Sequence, residues 1–174
     1  MPAVTTAGAL ASRLRRSAFA YLSRFSAHRA RLTAVLTRRA ERYGPDLSAD
    51  VRAHAVAAEV DRCVALGLID DQAWADARAR RLLARGKPLG LIRDDLIARG
   101  LPTEVADRAI GHVAGESAED PDIAAARAFA RRRRLGPYRR TPDVDRHKEL
   151  AAFARAGFSY AVAKTLVDAE ADDI

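Results

Sequence analysis

The sequence predicts an all-helical protein, and three observations support that prediction. Apolar residues recur at intervals of three and four, and the alternation of apolar and polar residues that is typical of strands is missing. Aromatic residues make up only 6% of the 174 residues, and alanine supplies much of the hydrophobic fraction, which suits closely packed helices. Isolated glycines and prolines interrupt the periodic segments where helices would end and begin.

A first group of three helices is predicted within residues 16–67. Residues 1–15 carry no acidic side chain and are expected to form a flexible basic lead into the first helix. Ser26 is a candidate N-cap for the second helix, which stops at Gly44, and Ser48 starts the third. The periodic apolar residues of these helices are Phe19, Leu22, Leu32, Val35, Leu36, Val56, Val60 and Val64.

A second group is predicted within residues 68–114. Asp70 can cap its first helix with a side-chain oxygen. Pro88 and Pro102 stand where the next two helices open, because a first helical residue needs no backbone N–H. Gly100 provides a left-handed stop between them. The periodic apolar residues are Leu89, Ile92, Leu96, Val105, Ala109 and Val113.

A third group is predicted within residues 115–174. An acidic linker, residues 115–120, precedes Pro121, which opens the first helix of this group. Glycine and proline make residues 136–143 a loop, and Ser159 caps the last helix. The periodic apolar residues are Ile123, Ala126, Ala130, Leu150, Phe153, Val162, Leu166 and Val167.

The groups share an order of features that indicates internal repetition. Gly100 aligns with Gly157, and at both positions an apolar residue and then a helix-start residue follow. Because repeats contact mainly their neighbours, the sequence predicts three tandem three-helix repeats that form an elongated, curved body. The alternative is that any two amphipathic helices joined by a glycine would align as well.

The charge balance predicts an anionic partner. The formal net charge is +7 and almost all basic residues are arginine. Charge of this sign favours nucleic acid, an anionic membrane surface or an acidic protein, although a GC-rich genome also enriches arginine. No apolar run reaches the roughly 20 residues that a membrane helix needs, so we expect no membrane span.

Cysteine usage predicts the compartment. Cys63 is the only cysteine, which excludes a disulfide framework and favours the reducing cytoplasm. It lies in phase with Val56 and Val60, so we expect it in the core. The first 40 residues contain eight arginines and no acid, which leaves an organelle address as the alternative.

The sequence predicts no catalytic site, metal site or cofactor. The glycines are isolated helix stops, and the four histidines include no pair at metal-ligand spacing. Asp70-Asp71 and Asp94-Asp95 could in principle serve acid–base chemistry. Capping and first-turn charge explain the first pair more simply, and a solvated helix face explains the second. We therefore expect a binding protein and not an enzyme.

Two arginine clusters are candidate binding surfaces. One is a helical stripe of Arg78, Arg81 and Arg85, which Lys87 extends and Trp74 begins. The other falls within residues 123–142, which contain no acid. Its candidate residues are Arg131, Arg132, Arg133, Arg134, Arg139 and Arg140. Such clusters can follow a phosphate backbone or dock an acidic protein, and the alternative for the four-arginine run is a solvated helix end.

One local motif is specific. It runs Gly67-Leu68-Ile69-Asp70-Asp71-Gln72-Ala73-Trp74-Ala75, continues at Arg85-Gly86-Lys87 and Arg99-Gly100-Leu101, and ends with Arg155-Ala156-Gly157-Phe158-Ser159-Tyr160. In these residues the chain resembles the RecX family of recombination regulators over residues 20–168. The motif residues with an expected structural role are Gly67, Asp70, Asp71, Trp74, Gly86, Gly100, Gly157 and Phe158.

The resemblance implies binding to the RecA recombinase and its filament on single-stranded DNA, with restraint of its ATPase and strand-exchange activities. It also implies a role in recombination, DNA repair and the SOS response, with no catalytic residue and no cofactor. Many relatives have an aromatic residue and an arginine where this chain has Arg78 and Leu82, so Arg81 is expected to replace that arginine.

The binding residues are expected to contact RecA, DNA or both, and we expect a monomer. A helical module that binds nucleic acid without RecA is the alternative function. A helical adaptor for an acidic protein is a third.

Overall fold

The computed structural model describes residues 6–116, 118–141 and 144–169. Within these residues the chain forms nine α-helices, one short 3-10 helix (Gly136–Tyr138) and no strand, which confirms the all-helical prediction. The α-helices are α1 (Ala7–Leu22), α2 (Arg29–Tyr43), α3 (Ala49–Ala65), α4 (Asp71–Ala84), α5 (Leu89–Ala98), α6 (Thr103–Gly115), α7 (Pro121–Arg133), α8 (Arg146–Arg155) and α9 (Tyr160–Asp168).

The chain divides into two compact units. The first ends at Trp74 and also includes Arg99–Leu101, and the second comprises Ala75–Ala98 and the residues from Pro102 onward. The repeat boundaries at residues 16–67, 68–114 and 115–174 stay predictions, and so does the elongated, curved body.

The core of the first unit lies among α1, α2 and α3, which all pack on one another. Cys63 is fully buried there, as predicted, and burial raises the pKa of its thiol. Phe19 and Val64, which the periodicity assigned to this core, are 43% and 38% exposed. The buried apolar residues of this core include Leu10, Leu14, Leu32, Leu36, Val56, Val60 and Ile69.

The second unit contains an aromatic core. In this unit α5 packs on α6, and both α7 and α8 pack on α9. Phe129, Phe153 and Phe158 form a three-ring cluster with centroids 5.3–5.7 Å apart. Edge-to-face and tilted arrangements of this kind stabilise a core beyond the area that they bury. The motif residue Phe158 is 6% exposed and lies in this core.

The start of α1 corrects the prediction for the N-terminal segment. The Thr6 hydroxyl accepts a hydrogen bond from the Ala9 N–H at 3.2 Å, and the helix begins at Ala7. Leu10 and Leu14, one helical turn apart, are fully buried. The described part of the expected flexible lead, residues 1–15, is therefore helical because its two leucines pack into the core. Residues 1–5 lie outside the described residues.

Local N-caps largely follow the prediction. Ser48, Asp70 and Ser159 each accept a hydrogen bond from the backbone N–H three residues on, at 3.3, 2.9 and 3.3 Å. Pro121 is the first residue of α7. In contrast, Pro88 and Pro102 each precede the first residue of the helix that they were expected to open. An N-cap side chain that accepts a hydrogen bond from a nearby backbone N–H can thus be predicted from the sequence.

The two predicted connections are shorter than expected. α6 extends through Gly115, the first residue of the predicted acidic linker, and Asp120 caps α7. The 3-10 helix occupies the start of the predicted loop, residues 136–143. Ser117, Pro142 and Asp143 of these segments lie outside the described residues.

The N-terminus of α2 is capped from a distance. The predicted cap, Ser26, is wrong because α2 begins at Arg29. His28 occupies the N-cap position, but its side chain makes no capping bond. The carboxylate of Asp71, at the start of α4, accepts a hydrogen bond from the Arg29 N–H at 2.7 Å. A negative charge at a helix N-terminus also interacts favourably with the helix dipole.

The same arrangement recurs in the second unit. Asp122, in the first turn of α7, accepts a hydrogen bond from the N–H of Leu89, the first residue of α5, at 2.8 Å. Asp71 and Asp122 thus occupy equivalent positions. In each case the first helix of one predicted repeat caps the second helix of the repeat before it.

Gly100 and Gly157 make similar contacts in the two units. A Cβ atom on Gly100 would lie 2.9 Å from the Cβ of Ala30, the second residue of α2. A Cβ atom on Gly157 would lie 2.7 Å from Cδ1 of Leu91, the third residue of α5. Each glycine therefore permits close approach to the start of the second helix of the preceding repeat. These recurring contacts support the prediction of tandem repeats.

Gly86→Ala is expected to destabilise the chain by about 1–3 kcal/mol. Gly86 has φ +73°, and a Cβ atom there would lie 2.6 Å from the backbone nitrogen of Phe129, so α4 and α7 would have to separate. Gly111→Ala is the control, because its Cβ would meet nothing within 4 Å inside α6. Urea unfolding should show a gain of about 0.5–1 kcal/mol for the control. Equal effects of the two substitutions would contradict the close approach of α7.

Asp71→Ala and Asp122→Ala are each expected to lower the free energy of unfolding by about 1 kcal/mol, since each removes a helix cap. The control is Asp94→Ala, which changes an exposed acid within α5 and is expected to stay within about 0.5 kcal/mol of the parent chain. Urea unfolding measures all three. A loss for Asp94→Ala as large as for the other two would mean that general charge, and not capping, is responsible.

Candidate functional site

The two predicted arginine clusters meet in the second unit. Gly86 brings the end of α4 against α7, and the Arg132 guanidinium donates a hydrogen bond to the backbone carbonyl of Arg85. The stripe on α4 and the basic end of α7 therefore share one surface. We call it the α4/α7 arginine surface, defined by Arg81, Arg85, Arg131, Arg132, Arg133 and Arg134.

The α4/α7 arginine surface is exposed to solvent. All six side chains are exposed, and none forms an ion pair with a described residue. The guanidinium of Arg131 lies over the Tyr138 ring at 5.2 Å, and that of Arg132 lies over Phe129 at 5.9 Å. Guanidinium groups with free N–H donors can bind phosphate or carboxylate oxygens in bidentate fashion.

α7 ends at a residue in the left-handed conformation. Arg134 has φ +60° and φ/ψ values in the left-handed region, and its N–H bonds the Ala130 carbonyl. The chain turns at this residue, and α7 ends there. Arg133 faces a small recess beside Phe129, Ala152 and Arg155. This recess adds Arg155, which the sequence analysis did not single out, to the basic surroundings of Arg133.

Arg78 occupies an internal ion pair. Its Nε and Nη2 atoms donate to the Asp95 carboxylate at 3.0 and 3.2 Å, and both side chains are about four-fifths buried, at 20% and 17% exposed. The pair links α4 to α5. Arg78 therefore holds two helices together. The exposed arginines of the predicted stripe on α4 are Arg81 and Arg85, and Lys87 next to them is half-buried.

Arg139 is likewise engaged inside the second unit. Its Nη2 donates to Glu149 at 2.7 Å and to the Val167 carbonyl at 2.9 Å. Glu149 is only 2% exposed and also accepts a hydrogen bond from the Gly136 N–H at 3.0 Å. Arg140 is exposed and lines a recess with Arg146, which is itself paired with Asp168.

The RecX-like motif residues lie at packing positions. Gly67 ends the turn after α3 with φ +67°. Trp74 packs on His28 with ring centroids 4.5 Å apart, and burial lowers the pKa of His28. Together with the hydrogen bond from the Arg29 N–H to Asp71, this contact joins the start of α4 to the start of α2. His28 was not found from the sequence because nothing local marks it as a partner of Trp74.

The described residues offer no group of three or more His, Cys, Asp or Glu side chains that could hold a metal ion. None of the helices in the described part of the chain is both long and apolar enough to cross a membrane. Nearly all basic side chains of the chain are arginines. Their guanidinium groups bind anions and do not act as nucleophiles or general bases at neutral pH.

Two known proteins that are similar to this chain have the same name. The chain is 37% identical over 161 residues to the regulatory protein RecX of Myxococcus xanthus, covering 89% of this chain and 84% of that protein. It is 37% identical over 111 residues to the regulatory protein RecX of Agrobacterium fabrum, covering 61% of this chain and 56% of that protein. No protein-family model matches the chain.

A solved structure shows the same fold. The crystal structure of a regulatory protein RecX matches 94% of this chain and 74% of its own chain with a TM-score of 0.68, at 22% sequence identity. The two chains therefore share a fold although most of their residues differ.

Arg139→Met is expected to lower the free energy of unfolding by about 3 kcal/mol, because it leaves the Glu149 carboxylate buried without its cationic partner. Arg140→Met, at the neighbouring exposed position, is the control and should change stability by less than about 0.5 kcal/mol. Both values come from urea unfolding at neutral pH. A loss for Arg139→Met no larger than for the control would rule out an essential ion pair at this position.

Proposed function

Because this chain belongs to the RecX family of regulatory proteins, we propose that it binds the RecA recombinase and its filament on single-stranded DNA. On this proposal it inhibits the ATPase and strand-exchange activities of RecA, and so acts in recombination, DNA repair and the SOS response. It does so as a monomeric binding protein of the cytoplasm, with no catalytic residue and no cofactor.

The observation that carries this proposal is the α4/α7 arginine surface, whose side chains are exposed and make no ion pair with a described residue. A nucleoprotein filament presents nucleic-acid phosphates and the acidic side chains of its protein subunits. Guanidinium groups bind both kinds of oxyanion, and Arg81, Arg85 and Arg133 make no ion pair with a described residue that would have to break first. Arg78 contributes by holding α4 on α5, and Arg139 by holding the residues after the 3-10 helix against α8 and α9.

The direct test is RecA-catalysed strand exchange and ATP hydrolysis on single-stranded DNA, with the purified chain titrated in. We expect both activities to fall as the chain approaches stoichiometry with RecA. Unchanged rates at stoichiometric amounts would refute this function.

Arg81→Gln/Arg133→Gln is expected to weaken binding to the RecA filament by about tenfold or more, because two charge-assisted hydrogen-bonding groups are lost. Both side chains are exposed and unpaired, so the thermal midpoint should stay unchanged. Filament affinity is measured by anisotropy of the labelled chain at fixed ionic strength.

Lys148→Gln/Lys164→Gln is the matched control, because it removes the same charge from exposed positions on α8 and α9. We expect it to bind almost as the parent chain does. Equal losses in the two double variants would mean that net charge, and not the α4/α7 arginine surface, determines affinity.

A nucleic-acid-binding module that acts without RecA is the second candidate, and the same unpaired arginines favour it. It requires tight binding to bare DNA, with an affinity that falls steeply as salt rises. Weak binding to bare DNA together with strong binding to the filament would exclude it. An adaptor for an acidic protein would instead be indifferent to DNA.

A further inference from the structure

A second group of arginines lines a recess between α1 and α2, in the first unit. Its volume is about 470 Å³. Two arginines come from α1 and two from α2, while Ser17, Ala20 and Tyr43 complete the lining. The four arginines are Arg13, Arg16, Arg39 and Arg42. We call this the α1/α2 arginine recess.

The recess is preorganised by hydrogen bonds to its own backbone. Arg39 donates to the Ser17 carbonyl at 2.7 Å, and Arg13 donates to the Tyr43 carbonyl at 3.3 Å. The guanidinium groups of Arg42 and Arg13 lie over the Tyr43 ring at 5.3 and 5.9 Å. Each bond uses one N–H of a five-donor group, so the remaining donors stay available to a ligand.

The recess contains positive charge without a neutralising carboxylate. α1 has no acidic residue. Glu41, the one acid of α2, lines a different groove, between α2 and α3. Four like charges at one place repel one another, and a bound anion would remove that repulsion. The pKa of the Tyr43 hydroxyl is also affected by this environment. Its hydrogen bonds with Ser17 and Arg42, together with the nearby arginine charges, lower its pKa.

The number of guanidinium groups favours a phosphate over a carboxylate. A single carboxylate carries one charge, whereas a nucleic-acid strand carries one phosphate for every nucleotide and can therefore meet several guanidinium groups at once. The Tyr43 ring is already covered by Arg42 and Arg13, so it is not free to stack on a base. The recess therefore fits a backbone phosphate and reads no base.

We propose that the α1/α2 arginine recess is a phosphate-binding site for a nucleic-acid strand. This site lies in a different unit from the α4/α7 arginine surface and does not require RecA. It contributes affinity that is independent of nucleotide sequence and depends on ionic strength.

The test uses the full chain without RecA and follows the backbone amide resonances of α1 and α2 by NMR. One arm adds sodium pyrophosphate and the other adds a short oligothymidylate. We expect both to shift the signals of residues 13–20 and 39–43 in a saturable way. Arg16→Gln/Arg42→Gln should weaken binding at these residues by about tenfold or more. It should also lower the slope of log affinity against log salt for the oligonucleotide by about 0.7 for each lost phosphate contact.

Two controls separate the site from general effects. Arg24→Gln removes an exposed charge outside the recess and should bind like the parent chain. Arg16→Lys/Arg42→Lys keeps the charge and should recover part of the affinity, which a folding defect would not allow. Arg13 and Arg39, whose bonds hold the recess, stay in place in every variant.

Three outcomes would overturn the proposal. The first is a parent-like affinity of Arg16→Gln/Arg42→Gln at the α1 and α2 signals. The second is a set of shifts confined to α4 and α7. The third is binding of pyrophosphate without any shift by the oligonucleotide, which would mark a site for small anions only. Because RecA is absent, each outcome is independent of whether the chain inhibits strand exchange.

Discussion

The arrangement of the helices depends on carboxylates that cap helices far away in the sequence. α2 has no capping side chain of its own, and Nδ1 of the buried His28 makes no hydrogen bond with the described residues. Asp71 therefore satisfies a backbone donor that local sequence leaves open, and Asp122 does the same for α5. Each cap fixes a first helix against an earlier second helix. Within the first unit Asp71 joins the start of α4 to α2, and within the second unit Asp122 joins α7 to α5.

This dependence explains which parts of the fold sequence analysis predicts. Ser48, Asp70 and Ser159 were found because the donor that each one bonds lies three residues away. The prediction for Ser26 followed the same rule and was wrong, because the Arg29 N–H at the start of α2 donates its hydrogen bond to Asp71. Similarly, the start of α1 was missed because Leu10 and Leu14 are buried only by tertiary packing. The local sequence thus predicts hydrogen bonds between residues that are close in sequence. Contacts between residues far apart in sequence are found only once the three-dimensional structure is known.

For the candidate sites, likewise, the sequence does not show which arginines are paired with an acidic side chain. Arg78 and Arg81 look alike in a helical stripe, yet only Arg78 meets a carboxylate, because α5 places Asp95 beside it. Arg139 and Arg140 differ for the same reason, since only Arg139 reaches Glu149. The α1/α2 arginine recess escaped sequence analysis because its arginines are spread over two helices. A run of arginines therefore predicts basic character, but the distribution of acids in three dimensions determines which arginines can bind an anion.

The preference for arginine over lysine has a structural reason beyond composition. Arg132 and Arg13 each donate to a carbonyl at the C-terminal end of a helix, at Arg85 after α4 and at Tyr43 in α2. Such bonds satisfy carbonyls that the helix itself leaves unpaired and place a cation at the negative end of its dipole. A guanidinium can do this with one N–H and direct the others to solvent, in a fixed plane. A lysine ammonium supplies charge from a flexible stem and cannot hold that geometry. A GC-rich genome can enrich arginine everywhere, but it does not place arginines at helix ends with the rest of their donors exposed. The same side chains thus terminate helices and present anion-binding groups, so substituting them with lysine would preserve the net charge and lose the fixed geometry.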